Sequence, residues 1–262
     1  MRKFLGFALL IASALALCGF QSQVIMARRP KLSGGGGPTV VQPTSSHFWA
    51  VNSSGCAIYG SNPTTCAFPQ NVSSGHGVYV HLMFGTTGTL ATPTSSGTAT
   101  IGSFTEIGSG CDAATTACGG AQAWYRASVT GSGTLTISDI PPASNNTSVH
   151  IWEIANDGGA DSGTNPVYAY NNTGCTTGCA IGGASGITPA TTGDLIICDE
   201  AGSSAATISA VTPYTLIGQN SATGNNLTDF AADYIAPSTS AITGTYTTSA
   251  ADNMLNSCLA IK

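Results

Sequence analysis

The sequence predicts an all-β protein, an antiparallel β-sandwich, and three observations carry this prediction. Apolar residues alternate with polar ones over short segments, which is the period of a half-buried strand. Charged residues make up only 7% of the chain, and uncharged polar residues that suit strands and turns replace them. Two stretches of the chain also repeat the same order of elements, which predicts two similar β-meander halves packed as one domain.

The N-terminal segment has the features of an export signal. Arg2 and Lys3 precede an apolar run at 4–17, and residues 14–16 fit a small-x-small cleavage site. This run is shorter than the roughly 20 residues of a membrane span, so no span is expected in the mature chain. Acylation of Cys18 is the alternative, although the leucine before it is larger than the residue usual at such sites.

The signal sets the expected domain boundaries. Cleavage after Ala27 and an uncleaved membrane anchor are the alternatives to cleavage at 14–16. With the later cleavage, residues 1–27 are interpreted as a signal peptide, and 28–46, which contains four consecutive glycines, as a flexible linker. The β-sandwich domain is expected over 47–262, with its first strand near residues 47–51. This arrangement predicts a secreted or cell-surface protein, either extracellular or periplasmic.

The strand predictions follow this domain in order. Residues 78–84 place Val78, Val80 and Leu82 on one face, and residues 121–129 place Trp124 and Arg126 opposite the apolar face. Further strands are predicted at 134–137, 149–155, 195–198 and 243–248. Glycine- and proline-rich turn signals separate these segments, such as those at 131–133 and 141–142.

An internal repeat organises the strands into halves at about 76–156 and 193–262. The segment FTEIG at 104–108 matches YTLIG at 214–218, and each follows an apolar strand and precedes a strand that contains tyrosine. In this alignment Trp152 matches Leu259, so Trp152 is expected in the core and Glu153 on the opposite face. A single sandwich, with each half supplying part of both sheets, is favoured over two small domains.

The cysteines predict a disulfide framework. The chain has nine, and the eight beyond Cys18 form an even set behind an export signal, which is typical of an oxidising compartment. Spacing favours three local pairs and leaves two cysteines to join distant strands. The expected disulfides are Cys56–Cys66, Cys111–Cys118, Cys175–Cys179 and Cys198–Cys258.

The charge balance argues against some partners. Beyond residue 31 the basic residues are Arg126 and Lys262, whereas all twelve acidic residues lie there. Such a surface would repel nucleic-acid phosphates and anionic lipid headgroups. Nucleic acid is therefore not an expected partner.

Four motifs are similar to those of secreted bacterial β-sandwich domains of the immunoglobulin-like or jelly-roll type, a loosely defined group. They are GDLII at 193–197, the aromatic-Thr-x-Ile-Gly turn, IWEI at 151–154 and a closing apolar strand. The resemblance covers 47–262. It implies an antiparallel sandwich. Domains of this kind either are uncharacterised or occur in surface, adhesion or glycan-binding proteins. The resemblance carries over no catalytic residue.

Four side chains form the candidate ligand site. Tyr79 and His81 lie opposite the apolar face of one predicted strand, and Trp124 and Arg126 do so on another. If these faces are exposed, the rings could stack on sugars while neighbouring polar groups bind hydroxyls. The alternative is that the second sheet covers them and makes the rings part of the core, as is usual for large aromatic residues.

Catalytic and metal motifs are weaker. A glycosidase would need two carboxylates, and Glu153 with Asp157 is the nearest approach. Asp157 and Asp161 could offer oxygens to calcium, but the spacing of a calcium loop is missing, so no cofactor is predicted. The histidines and cysteines lack zinc-site spacing, and no nucleophile elbow occurs.

These observations favour a secreted β-sandwich with a structural or interaction role at the cell exterior and no catalysis. Glycans or other extracellular proteins are the expected partners, and self-association or a covered edge strand would accompany a structural role. A carbohydrate-binding module is the first alternative, and a glycosidase-like enzyme with Glu153 as the acid is the second.

Overall fold

The computed structural model describes residues 36–44, 57–58, 65–84, 90–110, 121–138, 147–162, 166–202, 206–222 and 227–262. All the regular secondary-structure elements in these ranges are β-strands. The strands are β1 (Thr39–Gln42), β2 (Ala57–Ile58), β3 (Thr65–Ala67), β4 (Gly77–Phe84), β5 (Thr94–Gly97), β6 (Thr100–Ile101), β7 (Thr105–Gly110), β8 (Ala121–Gly131), β9 (Leu135–Ser138), β10 (Thr147–Ala155), β11 (Val167–Ile181), β12 (Leu195–Gly202), β13 (Ile208–Thr212), β14 (Thr215–Ala222), β15 (Leu227–Ile235) and β16 (Gly244–Ile261). The signal peptide, most of the linker, the strand expected near 47–51 and the pair Cys111–Cys118 lie outside the described residues.

The strands form two main sheets and one small sheet, all antiparallel. The first main sheet has the order β1-β10-β4-β8-β6, with β2 beside β10 and β7 beside β8. The second has the order β11-β16-β12-β15-β14, with β13 beside β16. The small sheet is β3-β9-β5. The all-β sandwich prediction is therefore confirmed, and β1 adds residues 39–42 of the expected linker to the first main sheet.

The two main sheets repeat one topology. The path β10-β4-β8-β7 in the first matches β16-β12-β15-β14 in the second. Both copies of the aromatic-Thr-x-Ile-Gly motif carry a register shift at the same point, between Glu106 and Gly108 and between Leu216 and Gly218. The structure differs from the expectation in one respect: each half supplies a whole main sheet, because each meander pairs only with itself.

The repeat also extends beyond the predicted halves. In the small sheet Cys66 pairs with Ile137 of β9, and in the second half Cys179 of β11 pairs with Tyr246 of β16 in the same way. Both cysteines are buried and disulfide-bonded. The long strands β11 and β16 thus run through a main sheet and into an outer layer that is equivalent to the small sheet.

The main sheets pack face to face, and the core continues on their outer faces. Val78, Val80 and Leu82 of β4 point away from the second sheet, towards the layer that contains the small sheet. Ile197 and Leu259 of the second sheet belong to the same cluster from the inner side. A second cluster fills the outer side of the second sheet and includes Cys198 and Cys258. Residues 35–262 form one compact unit.

Two expected disulfides lie wholly within the described residues. Cys175–Cys179 closes a local loop at a register shift in β11. Cys198–Cys258 joins residues that face each other directly in the neighbouring strands β12 and β16, with Cα atoms 4.2 Å apart. The strands that it joins are therefore adjacent in space rather than distant. Cys66 is disulfide-bonded, and its expected partner Cys56 lies outside the described residues.

Candidate functional site

The four candidate ligand residues lie together on the inner face of the first main sheet. Tyr79 is the cross-strand neighbour of Arg126, and His81 is that of Trp124. The rings of His81 and Trp124 stack with centroids 4.3 Å apart. The second main sheet covers this face, so Tyr79, His81 and Trp124 are fully buried. The open aromatic platform is therefore not formed, because both sheets need an apolar partner for their inner faces.

Arg126 and Tyr79 are bound by a carboxylate of their own half. The Arg126 guanidinium donates to Asp157 Oδ2 from Nε at 2.8 Å and from Nη2 at 2.5 Å. The Tyr79 hydroxyl and the Gly159 amide donate to Asp157 Oδ1 at 2.5 and 2.8 Å. Burial and the nearby Asp157 carboxylate raise the pKa of the Tyr79 phenol above its usual range. Asp157 is thus engaged by three side-chain and backbone partners.

The calcium candidate Asp161 lies in a different environment from Asp157. Its carboxylate accepts hydrogen bonds from the Ser162 amide at 2.7 Å and the Ala190 amide at 2.5 Å. Burial and the proximity of Asp161 raise the pKa of Asp194. Within the described ranges, no group of three His, Cys, Asp or Glu side chains is arranged to hold a metal ion.

Glu153, the glycosidase candidate, is fully buried on the outer face of β10. Its Oε1 accepts hydrogen bonds from the Ser73 amide and from His76 Nδ1, each at 2.7 Å, and its Oε2 accepts one from Gln42 Nε2 at 2.6 Å. These partners fasten β1 and the segment before β4 to the sheet. The contacts of Glu153 are therefore those of a structural carboxylate.

A buried polar cluster between the main sheets was missed by sequence reasoning. It joins His81 of β4 and His150 of β10 to Asp199 of β12 and Asp229 of β15. His150 Nδ1 lies 3.1 Å from Asp199 Oδ1, and His150 Nε2 lies 3.2 Å from Asp229 Oδ1. His81 Nδ1 lies 3.4 Å from Asp199 Oδ2. All four side chains have no exposed surface.

Hydrogen-bond donors complete the cluster. The Trp152 indole donates to Asp199 Oδ2 at 2.9 Å, and the Ser148 hydroxyl donates to Asp229 Oδ1 at 3.0 Å. The Trp124 indole donates across the sheets to Ser257 Oγ at 2.7 Å. Each of these bonds runs from the first main sheet to the second. In these three bonds the donor lies on the first main sheet and the acceptor on the second.

The environment fixes the charges of the cluster. Burial disfavours a charged imidazole, but Asp199 and Asp229 outweigh it and raise the pKa of His150 to about 9. Burial also opposes ionisation of Asp199, but His150 and His81 lower its pKa below the usual value. Burial lowers the pKa of His81, which is therefore neutral at neutral pH. The cluster consequently holds a charged His150 beside an ionised Asp199.

The order Ser148–His150–Asp199 has the appearance of a nucleophilic triad. Ser148 Oγ lies 3.0 Å from His150 Nε2. A general base must accept the proton of the serine, but a protonated imidazole has no lone pair to do so. Ser148 is 2% exposed, and its hydroxyl donates to Asp229 instead. The three side chains therefore form a closed polar contact between the two sheets.

The alternation of β12 contained a signal for this cluster. Leu195, Ile197 and Asp199 share one face, so Asp199 continues an inward-facing row. The prediction ended this strand at Cys198, which left the adjacent acids at 199–200 outside it. Extension of the strand to Gly202 would have placed Asp199 inside.

An open groove lies at one side of the first half. Residues 92–95, which enter β5, form one wall, and residues 101–104 form the other. Its volume is about 390 Å³, and none of the eight lining residues is charged. Phe104 and Ile101 supply apolar surface, whereas Thr94 and Ser95 supply hydroxyl groups.

Comparison with protein-family models, with curated proteins and with solved structures found no match. Within the described residues, no helix long and apolar enough to cross a membrane is present.

Proposed function

We propose that this protein is a rigid, non-catalytic module of the cell exterior with a structural or adhesive role. One observation carries the proposal: the His81–His150–Asp199–Asp229 cluster is buried between the two main sheets, and its close histidine–aspartate contacts all join one sheet to the other. The residue types that catalysis requires are here paired with one another and closed to substrate. A protein whose histidines are buried in such contacts is suited to a lasting structural role rather than to a mobile active site.

Two further features support a location outside the cell. Disulfides persist in oxidising compartments and are rare in the cytosol. Cys175–Cys179 and Cys198–Cys258 reinforce the second half, and the N-terminal residues have the pattern of an export signal. The proposal that the protein is bacterial rests on the resemblance of its motifs alone.

An assay of turnover and retention tests the proposed role. The purified protein is offered ester, glycoside and peptide substrates beside the Ser148→Ala and Glu153→Gln variants. We expect that neither the parent protein nor either variant turns over any of these substrates. Turnover that either substitution abolishes would overturn the proposal. In parallel, binding to the immobilised protein is measured. We expect saturable binding of further copies of the same protein or of an extracellular-matrix protein, as for an adhesive module.

Neutral-glycan binding is the second candidate, and the groove beside Phe104 favours it. Grooves of about 300–1,000 Å³ with an apolar wall and a few polar groups are typical ligand sites. Thr65, Ser138 and Thr94 continue a row of hydroxyls across the neighbouring small sheet. The uncharged lining suits a neutral sugar better than an ionic ligand.

A glycan array tests this candidate. The Ser95→Trp substitution would fill the groove, whereas Ser209→Trp, at an exposed position of strand β13, is the matched control. Binding that survives Ser209→Trp and is lost in Ser95→Trp would support the groove. Equal retention in both variants, or no binding by the parent protein, would contradict it.

A further inference from the structure

His81 and Asp199 occupy equivalent positions in the two main sheets. His81 lies between Trp124 of β8 and His150 of β10, and Asp199 lies between Ala231 of β15 and Ser257 of β16. The two side chains also contact each other, with 3.4 Å between Nδ1 and Oδ2. In a two-fold arrangement, a residue meets its own equivalent only near the axis. The halves therefore face each other as the subunits of a two-fold dimer do.

The charges on the two faces are nevertheless of opposite sign. The first half contributes the bases His81 and His150, and the second contributes the acids Asp199 and Asp229. Two copies of the first face would bury the charged His150 without its carboxylate partners, and two copies of the second would bring Asp199 against Asp199. Unpaired charges and juxtaposed like charges in a dry interface are both costly and suppress wrong pairings.

Apolar residues surround these charges and would supply most of the affinity. Met83 of the first half packs with Ala201 and Leu255 of the second. Tyr79 and Trp152 lie in one buried cluster with Leu259. Burial of such surface is non-directional, so it favours association without selecting the partner. The charged groups supply the selection.

We propose that the inner faces form a self-sufficient recognition surface, on which the basic face of residues 36–157 binds the acidic face of residues 158–262 and rejects its own kind. The peptide that joins the halves is then unnecessary for their association. All four cysteines beyond residue 157 pair among themselves, so no disulfide links the halves. This inference is independent of the proposed structural or adhesive role, and either can fail alone.

Cleavage of the full chain at one point tests the proposal. A protease site inserted after Ser162 is cut in the folded protein, which leaves residues 158–162 on the first piece although the Gly158 and Asp161 amides donate to Lys262 and Ala260 of the second. The pieces are followed by native mass spectrometry and analytical ultracentrifugation, and the substitutions described below separate the contribution of the inner faces from that of these backbone bonds. We expect a 1:1 complex of the two pieces at pH 7 and no complexes of like pieces. Separation of the pieces at pH 7, or formation of like pairs, would overturn the proposal.

Substitutions then test whether the charges select the partner. Asp199→Asn in the cleaved protein is expected to raise the dissociation constant of the pieces at least tenfold. Glu153→Gln is the matched control, since Glu153 is an equally buried carboxylate whose side-chain partners lie in its own half. If Asp199→Asn prevents folding, Trp152→Phe removes only the indole donor to Asp199. Equal dissociation constants for all variants would overturn the role of the charges.

The pH dependence of the cleaved complex gives a further readout. The groups that face His150 across the interface are Asp199 on β12 and Asp229 on β15, and those beside it are His81 on β4 and Ser148 on β10. At pH 10 His150 is neutral and leaves the ionised Asp199 without a counter-ion. We expect at least tenfold weaker association than at pH 7, and an unchanged dissociation constant would contradict the proposal.

Discussion

His150 Nδ1 lies 3.1 Å from Asp199 Oδ1, in a contact that crosses from the first main sheet to the second with no access to solvent. Such a pair is more important for its geometry than for its net energy, because burial of both charges offsets much of their attraction. Removal of one partner, however, leaves the other charge buried and uncompensated. The contact therefore makes the packing of the halves sensitive to protonation.

The stability of the protein is expected to fall as the pH rises from about 6.5 to about 9. His150 has a pKa of about 9 when folded and 6.5 in the reference state, so its contribution is complete below pH 6.5 and is lost through pH 9. The loss is on the order of 3 kcal/mol. Urea unfolding at a series of pH values measures it. His150→Gln should remove this slope and His76→Gln should keep it; an alkaline slope that survives in His150→Gln would contradict the assignment.

The two buried indoles are expected to differ in their contribution to stability. Trp152→Phe removes the donor to the charged Asp199, whereas Trp124→Phe removes the donor to the neutral Ser257. Hydrogen bonds to charged groups contribute about 1.5–3 kcal/mol and neutral ones about 1 kcal/mol. The free energy of unfolding in urea should therefore fall further for Trp152→Phe. An equal or reversed order would show that ring packing, rather than the acceptor charge, governs both sites.

Sequence alternation predicted the strands at the centre of the fold but not their depth of burial. The pattern at 78–84 places Tyr79 and His81 on the polar side of β4, and this is correct. Alternation reports which residues share a face, but it does not report what covers that face. Here a second sheet covers it, and the polar side of one strand becomes an interior.

The polar cluster could not be predicted because its members are far apart in the sequence. His81, His150, Asp199 and Asp229 come from four strands, and only the pairing of the halves brings them together. The internal repeat indicated that the halves are similar, and the alignment of Trp152 with Leu259 was correct. It could not indicate that each half forms a complete sheet, because strand order leaves the choice of sheet open.

Gly77→Ala is expected to destabilise the protein by about 1–3 kcal/mol through overpacking. A Cβ at Gly77 would lie 2.0 Å from Asp157 Oδ2, the oxygen that Arg126 binds. Asp157 would have to move away from the guanidinium and from the Tyr79 hydroxyl. Gly102→Ala is the control, since its Cβ would meet only the Ser128 carbonyl oxygen at 3.9 Å. Thermal unfolding compares the two, and an equal fall in midpoint would contradict the clash.

Removal of the Cys198–Cys258 disulfide is expected to cost more stability than removal of Cys175–Cys179. The first pair is separated by 60 residues in sequence and the second by 4, and a longer closed loop restricts the unfolded chain more. By this argument the Cys198→Ala, Cys258→Ala variant loses about 4 kcal/mol, and the Cys175→Ala, Cys179→Ala variant loses about half as much. Guanidinium unfolding of both double variants measures the difference. Equal losses would mean that the Cys198–Cys258 pair acts through packing in the outer core of the second sheet, where both cysteines are fully buried, rather than through the unfolded chain.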